Sequence, residues 1–134
     1  MIRFNFKIPI YKINVSLVQL EGKKDIKPLI ALMKGMKAKD DDINNEVEQL
    51  SEDRYNGGNT YRNMSRRRIV VLFYRMTSEK TRREVYDHEK RHIEDRVLEW
   101  FSVDDIESAG LLAGYLGEKF YEFEKLQVKP IKSK

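Results

Sequence analysis

One uninterrupted helical segment carries both histidines of the sequence. Residues 79–101 contain neither glycine nor proline, which predicts a single long helix. His88 and His92 lie four residues apart in it, with Glu89 between them in the order H-E-K-R-H. Because residues i and i+4 share a helical face, the two imidazoles can bind one Zn²⁺ while the carboxylate acts on water beside the metal.

Length and composition limit the kind of site that this helix can contribute to. The chain has 134 residues, the size of one domain, so we expect a single domain over 1–134. Hydrophobic residues make up 40% and charged residues 36%, which favours a folded chain with a charged surface. Cysteine is absent, so a bound metal ion must be held by nitrogen and oxygen ligands.

The sequence shows no targeting or membrane segment. Its N-terminus lacks the apolar stretch of a signal peptide, and no apolar run approaches the ~20 residues of a membrane span. We therefore expect a cytoplasmic protein with no membrane partner. The net charge of +4 is uneven, with basic residues at 66–68 and near the C-terminus and acidic residues concentrated in 40–53. Such runs can steer a charged partner but are more often solvated surface.

The first 20 residues predict strands. Apolar and polar residues alternate from Ile8 to Leu20, which is typical of a half-buried strand. Phe4 and Phe6 alternate in the opposite phase, and Pro9 cannot donate a hydrogen bond to a sheet. A bend, a bulge or a sheet edge is therefore expected near Pro9.

A helical and polar segment over 25–54 and a loop over 55–66 follow. Apolar residues at helical spacing predict a helix from Asp25 to Met36. The rest of this segment is polar and can carry a short helix over Ile43 to Leu50. Asn-Gly-Gly-Asn at 56–59 is a strong turn signal, so the loop is expected to be mobile.

The C-terminal half predicts a strand and two helices. Residues 68–75 contain a continuous apolar run, the mark of a strand that is covered on both faces. Ser78 or Thr77 can cap the histidine helix over 79–101.

A second helix is expected over 105–126, capped by Ser102 or Asp104, before a tail over 127–134 that contains Lys129-Pro130. The predicted fold is α+β. A short mixed sheet of about three strands would pack on the histidine helix and on this second C-terminal helix.

The histidine helix has one apolar stripe. At 100° per residue, the histidines lie on its flank and Glu89 lies closer to it. A carboxylate in that position must be paired, hydrogen-bonded or bound near a metal, which suits a general base. The stripe consists of Val85, Tyr86, Ile93, Val97, Trp100 and Phe101.

Glu107 is the candidate third metal ligand. It lies in the first turn of the next helix, which a short connection would fold back toward the histidines. Gly110, Gly114 and Gly117 share its face, and such small residues would let two helices approach closely. The alternative is that Asp104-x-x-Glu107 is a capping arrangement, in which Glu107 satisfies a free backbone N–H.

With His88-Glu89-Lys90-Arg91-His92 followed fifteen residues later by Glu107, the C-terminal half resembles the zincin metallopeptidases whose third ligand is Glu. It looks most like short one-domain members encoded by phages and mobile elements of gut bacteria. The similarity covers residues 69–123, and the N-terminal residues match only in their order of strand and helix.

The resemblance implies the function and the role of each residue. His88, His92 and Glu107 would bind zinc, and Glu89 would be the base in metal-assisted hydrolysis of a peptide or protein substrate. The substrate would pair with the edge of the small sheet. One departure is that zincins usually have small or apolar residues where this chain has Lys90 and Arg91. Arg91 can point to solvent, and Lys90 can extend its ammonium out of the core.

Two other functions compete with the peptidase. A basic nucleic-acid-binding module would use Arg66 to Arg68 and the lysine tail to contact phosphates, although no helix-turn-helix or aromatic RNA-binding signature is present. A catalytically inactive protein with the zincin fold, serving a structural or inhibitory role, is the other alternative.

Overall fold

A computed structural model describes residues 1–127 of the chain. Within them, β1 (Ile2–Ile8), β2 (Ile13–Gln19), β3 (Gly58–Asn63) and β4 (Arg68–Phe73) form one sheet, and the long helices are α1 (Ile26–Gly35), α2 (Asp40–Ser51), α3 (Glu79–Trp100) and α4 (Ile106–Gln127). The predicted α+β class is confirmed. The expected stop at Lys129-Pro130 and the tail beyond Gln127 lie outside the described residues.

The sheet has the strand order β1-β2-β4-β3 and is mixed. The outer pairs are antiparallel, whereas the central strands β2 and β4 run parallel. β4 is buried on both faces, as its continuous apolar run predicted. Val71 and Phe73 pack toward α3 and α4, and Val70 and Leu72 pack toward α1 and α2.

The N-terminal strands form a hairpin, which corrects the prediction of one strand from Ile8 to Leu20. The chain turns after Ile8, and Lys12 takes a positive φ of 53° before β2 begins. Pro9 lies in this turn, which accounts for the change in the phase of the apolar residues. β2 is also almost fully buried rather than half-buried, because it is central and helices cover both of its faces.

The sheet has four strands in the described chain rather than about three, because β3 occupies most of the segment expected to be a loop. The sequence did not predict this strand because its residues are polar. Only an edge strand with partly exposed faces tolerates such a composition. Gly58 and Thr60 face α3, whereas Asn59 and Tyr61 face α2. β3 therefore connects the two helical layers.

α3 and α4 pack antiparallel across one face of the sheet. Arg82 is paired with Glu124 at 3.2 Å, and Lys90 lies beside Gly117. Ser78 caps α3 by accepting a hydrogen bond from the Thr81 N–H, as one of the two predictions had it.

At the start of α4 the capping oxygen belongs to Asp105, which accepts from Ser108 N–H at 2.8 Å. It comes from neither Ser102 nor Asp104, the two residues that the sequence suggested. Along residues 1–127, no helix combines the length and the apolar character needed to cross a membrane.

Candidate metal centre

The sheet positions α3 through the buried part of its apolar stripe. Tyr86, Ile93 and Val97 are buried against β2 and β4. Trp100, at the end of the predicted stripe, is instead 55% exposed. With these contacts fixed, the flank that carries the histidines faces a cleft beside β3.

His88, Glu89 and His92 form a group that could hold a metal ion. Each offers one ligand atom, and these atoms all lie within 4.8 Å of one another. The two Nε2 atoms are 3.0 Å apart, and the rings are nearly perpendicular. Glu89 Oε2 lies 3.9 Å from His88 Nε2. The spacing H-E-x-x-H therefore brings these three side chains together.

Glu89 is buried, with only 3% of its surface exposed, whereas the His88 side chain is 69% exposed. One carboxylate oxygen accepts a hydrogen bond of 2.7 Å from the Thr60 hydroxyl. Gly58 makes the close approach possible, because a Cβ there would lie 3.1 Å from both Glu89 Cγ and the Leu72 carbonyl oxygen. The protein therefore encloses Glu89, whereas the side of the group that carries His88 is open to solvent.

The residues that surround the histidines come largely from β3 and α2, which the sequence did not connect with the site. Arg62 on β3 and Arg96 on α3 add positive charge to the cleft. Tyr61 and Arg62 belong to the segment 55–66, which the sequence predicted to be a loop. The remaining lining residues are Asn45, Gln49, Gly58, Asn59 and Thr60. No sequence pattern indicated these residues, because all five consecutive residues from Gly58 to Arg62 line the cleft and the other two come from α2.

Glu107 does not join the group around the histidines. It is exposed in the first turn of α4, on the side opposite the buried Leu112 and Leu116. Since Gly117 lies beside Lys90, Glu107 is level with about residue 100 of α3. At about 1.5 Å per residue, that is about 12 Å along the axis from His92.

Two of the three glycines of α4 also lie away from α3. A Cβ at Gly110 or Gly114 would meet nothing within 4 Å, and one at Gly117 would meet only Lys90 Cε at 3.7 Å. The glycines do share a face with Glu107, as the helical wheel predicted. Gly110 and Gly114 are exposed and only Gly117 lies beside α3, so the glycines do not form the close helix contact that we expected.

The two residues that depart from the usual zincin pattern are placed as predicted. Arg91 is exposed. Lys90 is partly buried along its stem and pairs with Glu94 at 2.8 Å. Neither charge therefore enters the core.

The donor set fits zinc in its chemistry. Two ligands on a tetrahedral Zn²⁺ with Zn–N bonds of 2.0–2.1 Å lie about 3.3 Å apart, close to the separation of the two Nε2 atoms. Catalytic zinc sites commonly use two His and one Glu and leave a further position open. The exposed side of His88 would leave that position accessible from the cleft.

A second buried carboxylate lies on the opposite side of β3. Glu46 on α2 is fully buried and accepts hydrogen bonds from Asn59, Tyr61 and Tyr74. Burial raises the pKa of both tyrosines, and their bonds to Glu46 raise it further. Sequence patterns gave no sign of this cluster, because Glu46 lies in the segment considered simply polar.

Comparisons with protein-family models, curated proteins and solved structures find no match to this chain. The likeness to zincins therefore rests on the H-E-x-x-H group on a helix within an α+β fold.

Proposed function

We propose that His88, His92 and Glu89 bind a zinc ion. The observation that carries this proposal is the approach of the two Nε2 atoms to 3.0 Å, beside a buried carboxylate and at the floor of an open cleft. Neutral imidazoles cannot both donate to each other, so at most one proton lies between them. A cation shared by the two nitrogens would satisfy both lone pairs.

Zinc content and affinity test the proposal. Protein purified without added zinc is analysed for metal, and the chelator-treated, dialysed protein is then titrated with ZnCl₂ by calorimetry. We expect one zinc per chain and a loss of at least about 100-fold in affinity in His88→Ala and in His92→Ala, since each removes one of few ligands.

Glu107→Gln is the matched control, because Glu107 was the ligand expected from the sequence. We expect this variant to bind zinc like the unaltered protein. A zinc affinity that is unchanged in both histidine variants would contradict the proposal. A large loss in Glu107→Gln would instead restore the ligand set predicted from the sequence.

A second function, zinc-dependent hydrolysis of peptide bonds, is favoured by the position of the cleft beside β3. In the described sheet β3 is an edge strand, so its outer backbone groups are free to pair with an extended peptide. Zinc, when bound, would polarise a substrate carbonyl and promote ionisation of water. In this second function the two histidines hold the metal, and Glu89 acts on water instead of binding zinc: it takes the proton from water and passes it to the leaving amine. Thr60 holds the carboxylate in place for this transfer, and burial keeps it away from bulk water.

Glu89→Gln separates the two roles of this side chain. If Glu89 is the base, the variant retains zinc but loses hydrolysis of denatured casein by about 100-fold or more, within the range for general bases. If Glu89 is a ligand, zinc affinity falls together with activity. Absence of hydrolysis by the zinc-loaded, unaltered protein would exclude the peptidase while leaving the zinc site intact.

A further inference from the structure

Two arginines line the α1 side of the sheet, the face opposite α3 and its histidines. Arg3 on β1 and Arg68 on β4 both line the hollow beside β2 and the adjoining hollow beside α1. Three hydrogen bonds connect them. Arg3 Nε donates to Asn5 Oδ1 at 2.9 Å, the Ser16 hydroxyl donates to that oxygen, and Arg68 Nη2 donates to Ser16 Oγ at 2.7 Å.

Arg68 is held in place rather than free in solvent. Besides Ser16, its guanidinium donates to the carbonyl oxygens of Asn14 and Ile69 at 3.2 and 3.1 Å. Ser16 itself is fully buried in the centre of the sheet. Burial lowers the pKa of Arg68, and the positive charge of Arg3 lowers it further.

This pair has no counter-ion within the described chain. Among residues 1–127, neither Arg3 nor Arg68 forms a salt bridge with a carboxylate. A guanidinium has five N–H donors, so one protein bond leaves Arg3 with four and three protein bonds leave Arg68 with two. Arg68 is partly buried and Arg3 is exposed, and holding two like charges near each other is unfavourable unless an anion joins them.

We propose that Arg3 and Arg68 bind the phosphate group of a small phosphorylated molecule. Guanidinium groups bind tetrahedral oxyanions through paired N–H donors, and two of them can hold one phosphate from two sides. The wall next to them is formed by Pro28, Ala31, Leu32 and Gly35 of α1, which carry no charge, and by Met1, whose ammonium group is paired with Asp25 at 3.1 Å. An apolar wall suits the remainder of a small ligand, whereas a nucleic-acid strand would need further cations along its path.

Chelator-treated, dialysed protein is the material for the test, because phosphate would also bind to zinc. Inorganic phosphate and phenyl phosphate are titrated at constant ionic strength, and backbone amide NMR shifts are followed. We expect saturable shifts centred on Arg3, Ser16 and Arg68, with phenyl phosphate the tighter ligand. Arg3→Gln should weaken binding at least about tenfold, as expected for loss of a charged bidentate partner.

Two further variants make the result decisive. Arg68→Lys keeps the charge but loses the fork of donors, so it should also weaken binding. Arg83→Gln, at an exposed position on α3 paired with Glu79, should bind phosphate normally. Shifts that do not saturate, or equal affinities of Arg3→Gln and Arg83→Gln, would overturn the proposal. A short oligonucleotide that binds more tightly than phenyl phosphate, and loses this in Arg3→Gln, would replace the small ligand by nucleic acid.

Discussion

Glu46 and Glu89 are both buried carboxylates, and they lie on opposite sides of the same edge strand. Glu46 accepts hydrogen bonds from three side chains, whereas Glu89 accepts one from Thr60 and lies beside two histidines. A buried carboxylate with several donors can be part of the fold, since hydrogen bonds satisfy its oxygens. One with spare accepting capacity next to an open cleft can bind a cation or move a proton. The number of donors therefore separates a structural carboxylate from a functional one.

The largest effect is expected from the same substitution made at Glu46 and at Glu89, which tests the contrast between the two carboxylates. Glu46→Gln replaces an acceptor by an amide whose NH₂ faces other donors, and we expect it to lower the free energy of unfolding by about 3 kcal/mol. Glu89→Gln in metal-free protein should change it by less than about 1 kcal/mol, because only one bond is at stake. Urea denaturation followed by circular dichroism measures both. Equal losses would remove the distinction.

Gly58→Ala sharpens the comparison on the Glu89 side. Its new Cβ would press on the Leu72 carbonyl as well as on Glu89 and Val85, and the backbone oxygen cannot move easily. We expect a loss of about 1–3 kcal/mol in unfolding free energy, typical of overpacking, together with weaker zinc binding. Gly35→Ala, which meets nothing within 4 Å, is the control. An unfolding free energy for Gly58→Ala as high as that of the control would show that α3 can shift freely.

Alkaline pH tests the Glu46 side. The pKa of Tyr74 is raised by burial and by its bond to Glu46, from an ordinary value of 10.0. The folded protein thus keeps the proton more strongly than the unfolded chain, so this stability is present below pH 10.0 and is lost as pH rises above it. Tyr74→Phe should be less stable at pH 7 by about 1 kcal/mol and lose less stability above pH 10. Parallel pH profiles of the two proteins would contradict this.

The smallest expected effect concerns the glycines that share a face of α4 with Glu107. Gly114→Ala on the solvent face of α4 should raise the unfolding free energy by about 0.5–1 kcal/mol, because alanine favours a helix and has room there. Zinc affinity should not change. Destabilisation measured by thermal unfolding would mean that this face packs against another part of the protein.

Much of the fold follows from local patterns in the sequence. The long stretch without Gly or Pro defines α3, and the apolar run from Ile69 to Tyr74 indicates a central strand. β3 could not be predicted in the same way, because its side chains are polar. Their partners, Glu46 and Glu89, belong to distant segments.

In the candidate site, too, only the features that depend on one segment of the chain could be predicted. His88, Glu89 and His92 meet because helical geometry alone brings them together. The position of Glu107 relative to the histidines could not be predicted, because it depends on how α4 packs on α3. The buried residues Leu112, Leu116 and Phe120, rather than the glycines, determine this packing. The Thr60 contact and the Arg3–Arg68 pair depend on strand register, which single-segment patterns do not contain.

The parallel pairing of β2 with β4 also affects how the protein is made. Their facing residues are 54 positions apart in the chain, and two helices and β3 lie between them. Closing such a loop costs conformational entropy before any contact compensates for it, so folding should be slow for a chain of this size. During synthesis β2 is made before β4, so one edge of the β1–β2 hairpin stays unpaired until residues 68–73 have emerged.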